Sequence, residues 1–236
     1  MTTVKLRLFN YWRSSASQRV RIGLAFKQLE FEYVVVNIVK QEQFADAYRA
    51  KNPIAQVPTL EVTHADGTIH TITQSLPILE YLDEQFPDAP LLPEGAYLRA
   101  RCRALAEIVN SGIQPMQNLA TTNRLHELGI EAKQWAPGFI ASGLVALGHA
   151  AAETSGKFLV GDAPTIADCC LVPQLGAARR FSVLVDDKLA DATQHPTQHP
   201  THQGAIDRLL AIEANCLALP AFANAAPDRQ PDAVKP

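Results

Sequence analysis

Val57-Pro58-Thr59-Leu60-Glu61-Val62 runs into Ala65-Asp66-Gly67, then Thr68-Ile69-His70-Thr71-Ile72, with Gln74-Ser75 close behind. Two strand-like runs around an Asp-Gly turn predict a β-hairpin. Past Gln74-Ser75, the residues Leu76, Leu79, Leu82 and Phe86 fall on one helical face. The stretch therefore reads ββα. Upstream, Val4–Asn10 sets Val4, Leu6 and Leu8 against Lys5 and Arg7, the period of a strand. Ala16, Val20, Gly23 and Leu24 then form a helical stripe after Ser14 and Ser15. Phe31–Ile38, β-branched and aromatic, reads as a second strand, and Gln41–Ala50 as a short helix stopped by Asn52-Pro53.

The order is thus βαβ followed by ββα. A right-handed βαβ crossover makes the first two strands parallel, and the hairpin completes a mixed four-stranded sheet. Residues 1–86 are expected to form an α/β, thioredoxin-like domain. Residues 87–93, with three prolines in seven positions, read as a linker. Residues 94–236 carry helical stripes at Leu98, Cys102, Leu105, Val109 and Gly112, at Ile140, Leu144 and Leu147, and at Leu209, Ile212, Cys216 and Leu219. They predict an all-α second domain, with the Ala- and Pro-rich tail from Pro220 running over the surface. Thr165-Ile166-Ala167-Asp168 resembles a capping box that starts a central helix, which Pro173 is expected to kink.

Bulk properties narrow the function. The 236 residues are 47% hydrophobic and 19% charged, with a net charge of −3, ample for buried cores and without a general pull toward nucleic acid or an anionic membrane. No run approaches the ~20 apolar residues that span a bilayer, and the first residues do not read as a signal peptide. Cys102, Cys169, Cys170 and Cys216 form no C-x-x-C pair. They read as reduced core residues of a cytoplasmic protein. Thr193-Gln194-His195-Pro196 repeats as Thr197-Gln198-His199-Pro200, followed by Thr201-His202. The prolines prevent a helix that would align the three histidines, and no Cys, Asp or Glu joins them. A surface-loop duplication is the expectation, and no metal site.

Three features carry chemistry. Pro58 stands at the start of a strand, where it is either an ordinary trans turn proline or a cis proline that turns the Val57 backbone outward to pair with an extended peptide ligand. Ser75 has the chemistry of an N-cap, and helix N-termini attract carboxylate or phosphate. Ser14 and Ser15 open the first helix in the same way; each either caps it or donates a hydrogen bond to an anion such as a thiolate, which the helix macrodipole would also favour. Taken together, two helix N-termini and one exposed strand edge suit a short, anionic, extended peptide bearing a thiol, a description that fits glutathione. Of the arginines, Arg13 is best placed for an anionic substrate and Arg180 next, whereas Arg19, Arg21 and Arg179 read as salt-bridged or solvated.

Arg13-Ser14-Ser15-Ala16-Ser17-Gln18-Arg19-Val20-Arg21-Ile22-Gly23-Leu24 closely resembles the signature of zeta-class glutathione transferases, the family that contains maleylacetoacetate isomerase. The resemblance continues at Asn52-Pro53, Gln56–Leu60 and Gln74–Leu82. It reappears at Gly112–Leu119, Gly161–Gln174 and Arg229-Gln230-Pro231-Asp232. It spans nearly the whole chain. It implies that Ser15 bonds the glutathione sulfur with Ser14 beside it, that Gln43, Val57, Gln74 and Ser75 bind the tripeptide, and that Gln114 and Asn118 approach the ligands from the helical domain. Arg13 and Arg180 are implied to receive substrate carboxylates. Ala16 and Gln18 depart from the pattern, where relatives often carry Cys and Trp, which leaves Ser15 as the candidate for thiolate stabilisation. Tyr11 is the fallback.

The chemistry so implied is glutathione-dependent cis–trans isomerisation of a maleyl diacid, maleylacetoacetate first. Maleylpyruvate, or transferase action on small α-halo acids, are the alternatives, and a non-catalytic glutathione-binding module is a reading from another class. The intact serine pair, Val57-Pro58 and Gln74-Ser75 disfavour the last. A homodimer follows from the resemblance alone.

Overall fold

The computed structural model describes residues 4–186, 188–189 and 200–234. They divide into two compact units, one of Met1–Leu91 together with Leu219–Pro236 and the other of Leu92–Ala218.

In the first unit, β1 (Lys5–Asn10) leads to α1 (Ser15–Phe26), β2 (Glu32–Val35), a 3-10 turn at Glu42–Phe44 and α2 (Asp46–Arg49). Next come β3 (Thr59–Thr63), β4 (Ile69–Thr73) and α3 (Ser75–Gln85). The sheet order is β2-β1-β3-β4, with β1 parallel to β2 and antiparallel to β3, which pairs antiparallel with β4. This is the thioredoxin-like arrangement expected from the βαβ-ββα order. Strand alternation sends Leu6, Leu8, Leu60 and Val62 to one face, against Val20 and Leu24 of α1 and Ile78 and Leu82 of α3. Each such side chain, fully buried, contributes about 1.5–3 kcal/mol. Phe9, Tyr11, Val36, Tyr48 and Val57 form a second cluster. Gly23 lets α1 and α3 approach, since a Cβ there would meet Leu79 Cδ2 at 2.3 Å.

Several expectations need adjusting in this unit. The second strand is shorter than Phe31–Ile38, and the Gln41–Ala50 helix is split at Ala45, whose backbone is extended (φ −62°, ψ 139°). Arg19 and Arg21 do not face solvent. Both are almost completely buried, at 1% and 2% exposure. The proline-rich linker is also held. Lys27 Nζ lies 3.1 Å from Asp83 and donates to the carbonyls of Phe86, Asp88 and Ala89, while the Leu91 N–H donates to Asp83 at 2.6 Å. The boundary between units therefore falls after Leu91.

The largest correction concerns the tail. Residues 219–236 belong with the first unit and not with the helical one, so the expected 94–236 domain ends at Ala218. The physical reason is specific. α9 (Pro220–Asn224) buries Phe222 completely, and the Ala225 carbonyl accepts from Arg21 Nη2 at 3.2 Å. Gln230 then fastens the tail on itself through the carbonyls of Asn224 and Ala226.

The second unit is helical. α4 (Ala96–Glu107) continues through a π-helical turn at Ile108–Ile113 and a 3-10 turn at Gln114–Gln117 into α5 (Leu119–Glu127), α6 (Ala132–Ala151), α7 (Ile166–Arg180) and α8 (Pro200–Leu217). Cys102, Leu105, Val109, Ile140, Leu144, Leu147, Leu209, Ile212 and Cys216 are buried as their spacing predicts, whereas Leu98 and Gly112 are exposed and Leu219 precedes α9. A two-residue pairing of β5 (Leu184–Val185) with β6 (Lys188–Leu189) is an addition that no sequence period announced. α7 runs on through Pro173 to Arg180. Thr165 and Asp168 form the capping box, and Asp168 also accepts from the Leu159 N–H at 2.9 Å. Burial pushes its carboxyl up to about 6. All four cysteines are free and buried. No helix among the described residues is long and apolar enough to cross a membrane, and no group of three or more metal-ligating side chains occurs among them. His195 and His199 lie outside the described residues.

Candidate functional site

One row of the sheet organises the site. Val34, Phe9, Thr59 and Thr73 are register partners across all four strands. Beyond that row lie the C-terminal ends of β2, β1 and β4 and the N-terminal end of β3. The segments carrying Gln43, Ser14-Ser15, Val57 and Gln74-Ser75 consequently all leave the sheet at the same end.

At the head of α1 the two serines have different partners. Ser14 is the N-cap, and its Oγ accepts from the Ser17 N–H at 3.2 Å. Ser15 is the first helical residue and half-buried, and its hydroxyl has no hydrogen-bond partner among the described residues. The N–H groups of Ser15 and Ala16 are likewise untaken there. No acidic residue occupies this first turn. The partial positive charge of the helix terminus is therefore available to an anion beside the Ser15 hydroxyl.

Before β3, the Val57-Pro58 peptide is cis. The residues on either side are clamped: Tyr48 Oη and Asn52 Nδ2 reach the Gln56 carbonyl at 2.6 and 2.7 Å and Thr59 Oγ1 at 2.9 and 3.1 Å. Burial raises the Tyr48 pKa, so the phenol stays protonated to serve this clamp. The ladder starts only at Thr59, and the Val57 N–H and C=O pair with no backbone group among the described residues.

At the head of α3 the expected N-cap is corrected. Gln74 holds the N-cap position, with φ 70° and ψ 130° and no side-chain cap. A non-glycine residue in the positive-φ region costs on the order of 1–3 kcal/mol and persists where its surroundings fix it. Ser75 is the first helical residue, and its Oγ accepts from Arg19 Nη1 at 3.1 Å. With Pro77 lacking an N–H, Ser75 and Leu76 supply the open donors. Gln43, on the 3-10 turn, is buried with its Oε1 unpartnered, an acceptor awaiting a donor.

Arg13 is exposed, its guanidinium 5.8 Å from the Trp12 ring centroid. Tyr11, the fallback for Ser15, is packed into the cluster of Phe9, Tyr48 and Val57. The second unit carries the remaining candidates: Gln114 opens the 3-10 turn, Asn118 N-caps α5 through the Ala120 N–H, and Arg180 is the exposed last residue of α7. Arg179 is not simply solvated; it forms a two-pronged pair with Glu213. The residues that pattern alone missed are Arg19, Arg21 and Asp232, which hydrogen-bond to Ser75 and to the Asn10–Trp12 segment. Their only sequence signal was their place in blocks resembling a known family.

Residues 13–85 match the glutathione S-transferase N-terminal domain. Over 99% of its length the chain is 39% identical to the maleylacetoacetate isomerase of Dictyostelium discoideum, covering 98% of that protein. The solved maleylacetoacetate isomerase of Anaeromyxobacter dehalogenans 2CP-1, with glutathione bound in its active site, is 46% identical, with a TM-score of 0.84 and coverage of 99% of this chain and 100% of that one. A solved maleylpyruvate isomerase, a bacterial zeta-class glutathione S-transferase, is 36% identical, with a TM-score of 0.80 and coverage of 97% and 100%.

Proposed function

The chain belongs to the maleylacetoacetate isomerase family of zeta-class glutathione transferases and is a glutathione-dependent isomerase, and from that premise we propose that it converts maleylacetoacetate to fumarylacetoacetate. The observation that carries the site assignment is the open Ser15 hydroxyl at the head of α1, at the same sheet end as Val57 and Gln74.

The residues present fit glutathione. An extended anionic peptide needs donors for its carboxylates, an edge for its backbone and an anion site for its sulfur. The Ser75 and Leu76 N–H groups at the head of α3, the untaken Val57 N–H and C=O, and the head of α1 match those needs in turn. The unpartnered Gln43 Oε1 and the Gln74 side chain are assigned to the peptide's remaining polar groups.

When bound, glutathione supplies the sulfur nucleophile that adds to the maleyl double bond and leaves after the resulting single bond has rotated. Ser15 Oγ–H donates to that sulfur, and the N–H groups opening α1 add to the donation. Hydrogen bonds to the charged form of a group favour that form, so the thiolate is held at neutral pH. Ser14 secures the cap that orients these donors. Arg13 receives a substrate carboxylate. Gln114, Asn118 and Arg180 are assigned to the ligands from the second unit, on the strength of the family pattern.

Turnover of maleylacetoacetate and maleylpyruvate, each with and without glutathione, tests this function. The expected result is glutathione-dependent turnover, faster on maleylacetoacetate; faster turnover of the shorter acid establishes the second reading, which the likeness to a maleylpyruvate isomerase supports. Conjugation or dehalogenation of α-halo acids without isomerisation overturns both. Ser15→Ala is expected to lower kcat about 10²–10³-fold, as for removal of one preorganised donor; an active variant removes Ser15 from its role.

We further assign the protein to the cytoplasm as a homodimer. Four free cysteines support a reducing compartment, and the family resemblance supports the homodimer. Light scattering after gel filtration, and fractionation of cells, test the two assignments.

A further inference from the structure

The segment that carries Ser15 is held by residues far from it in the chain. The sheet ladder of β1 ends at Asn10, so Tyr11, Trp12 and Arg13 form a loop between the strand and the cap of α1. Loop backbone groups without ladder partners need others, and here side chains provide them. Asp232 Oδ2 accepts from the Trp12 N–H at 3.1 Å, and its Oδ1 accepts from Tyr33 Oη at 2.6 Å. Arg21 Nη1 donates to Asn10 Oδ1 at 3.0 Å and the Tyr11 carbonyl at 3.3 Å. Arg21 Nη2 donates to the carbonyls of Trp12 at 3.0 Å and Ala225 at 3.2 Å. The Ser14 N–H donates to the Tyr11 carbonyl at 3.0 Å, which links the clamped loop directly to the cap.

We propose that Asp232 and Arg21 are positioning residues for the isomerase reaction, a clamp by which the C-terminal tail sets where Ser15 and the head of α1 point. The proposal rests on the reading of Ser15 as the thiolate partner. Both act through the Tyr11–Ser14 backbone. Asp232 is the element that makes this more than local packing, because it joins β2, the loop and the tail through one carboxylate. Arg21 and Asp232 also interact as opposite charges: burial lowers the Arg21 pKa to about 10, and both Tyr33 and Asp232 oppose that fall. Because catalysis depends steeply on placement, a displacement of about 1 Å at the Ser15 hydroxyl can cost on the order of 100-fold in rate.

The test compares Asp232→Ala, Asp232→Asn and Tyr33→Phe with the wild type, each assayed as folded protein. Asp232→Ala is expected to lower kcat/KM about 10–100-fold, and to move the apparent pKa of enzyme-bound glutathione upward toward the ordinary thiol value of about 8.5. Asp232→Asn keeps an acceptor for the Trp12 N–H and should recover part of both effects. Should Asp232→Ala not fold, Tyr33→Phe removes one bond to the same carboxylate and is expected to shift the bound-thiol pKa upward by less. Unaltered kcat/KM and pH profile in the folded variants overturn the proposal. A wild type that turns over neither maleyl acid overturns the assigned function instead, and hydrogen exchange then decides: Asp232→Ala must accelerate exchange of the Trp12 and Ser14 amides, and unchanged exchange sinks the clamp.

Discussion

Arg19 on α1 donates from Nη1 to Ser75 Oγ on α3 at 3.1 Å, and both residues are almost completely buried. One hydrogen bond thus joins the helix headed by Ser15 to the helix headed by Gln74. Ser75→Ala deletes the acceptor of a charged donor and is expected to cost about 1–3 kcal/mol. The denaturant midpoint should fall with an unchanged m value. Because the head of α3 is assigned to holding glutathione, KM for glutathione should rise more than kcat falls.

Asp168 gives the second unit a pH dependence of definite sign. Its carboxyl is pushed up to about 6 by burial, above its unfolded value, so between about pH 4 and 6 the folded state binds more protons than the unfolded state. Stability contributed by this group is full below that window and is lost as pH rises through it, on the order of 2–3 kcal/mol. The protonated acid keeps the capping box, since Thr165 Oγ1 at 2.8 Å can turn from donor to acceptor. Asp168→Asn removes the slope at the expense of the box. Urea midpoints from pH 4 to 7 should therefore show the gap between wild type and variant narrowing toward neutral pH.

Arg179 and Glu213 pair at 2.7 and 2.6 Å, with Glu213 buried and the Arg179 side chain 40% exposed. Arg179→Ala strands a buried carboxylate. The expected loss is about 1–3 kcal/mol, below that of a wholly buried pair because solvent still reaches the arginine. Replacing both residues by Met and Leu should restore most of it, which a double-mutant cycle in urea would measure.

Two glycines in helices should respond oppositely to alanine. A Cβ at Gly148 of α6 would lie 2.4 Å from the Ala205 carbonyl of α8, a backbone atom that cannot turn aside. Gly148→Ala should separate the two helices and destabilise by about 1–3 kcal/mol. At Gly176 of α7 nothing lies within 4 Å of the added carbon, so Gly176→Ala should stabilise by about 0.5–1 kcal/mol through helix propensity. Thermal melts distinguish the two signs.

The order of elements was readable because Leu6, Leu8, Leu60 and Val62, and then Leu79 and Leu82, repeat at the periods of strand and helix. Ser14 as a cap was readable for the same local reason. What escaped depended on distant partners. Arg19 and Arg21 look like the solvated residues of an ordinary helix until Ser75, Asn10 and the Ala225 carbonyl are placed around them. Residue type favoured Ser75 as the N-cap, yet the backbone puts Gln74 there at a positive φ that propensity disfavours. The β5–β6 pairing is too short to show a period, and the tail's destination is set by a carboxylate meeting an amide 220 positions away.

That last separation has a consequence for biosynthesis. The unit translated first is completed last: the Trp12 amide is made early, but its Asp232 partner emerges only after the whole of Leu92–Ala218 has been synthesised. A nascent chain can therefore bury the core of its helical unit while the loop beside Ser15 still lacks one of its supports. A premature stop codon that removes Asp232 would therefore act at the opposite end of the polypeptide, on the Trp12 loop, although every residue of Leu92–Ala218 had been made.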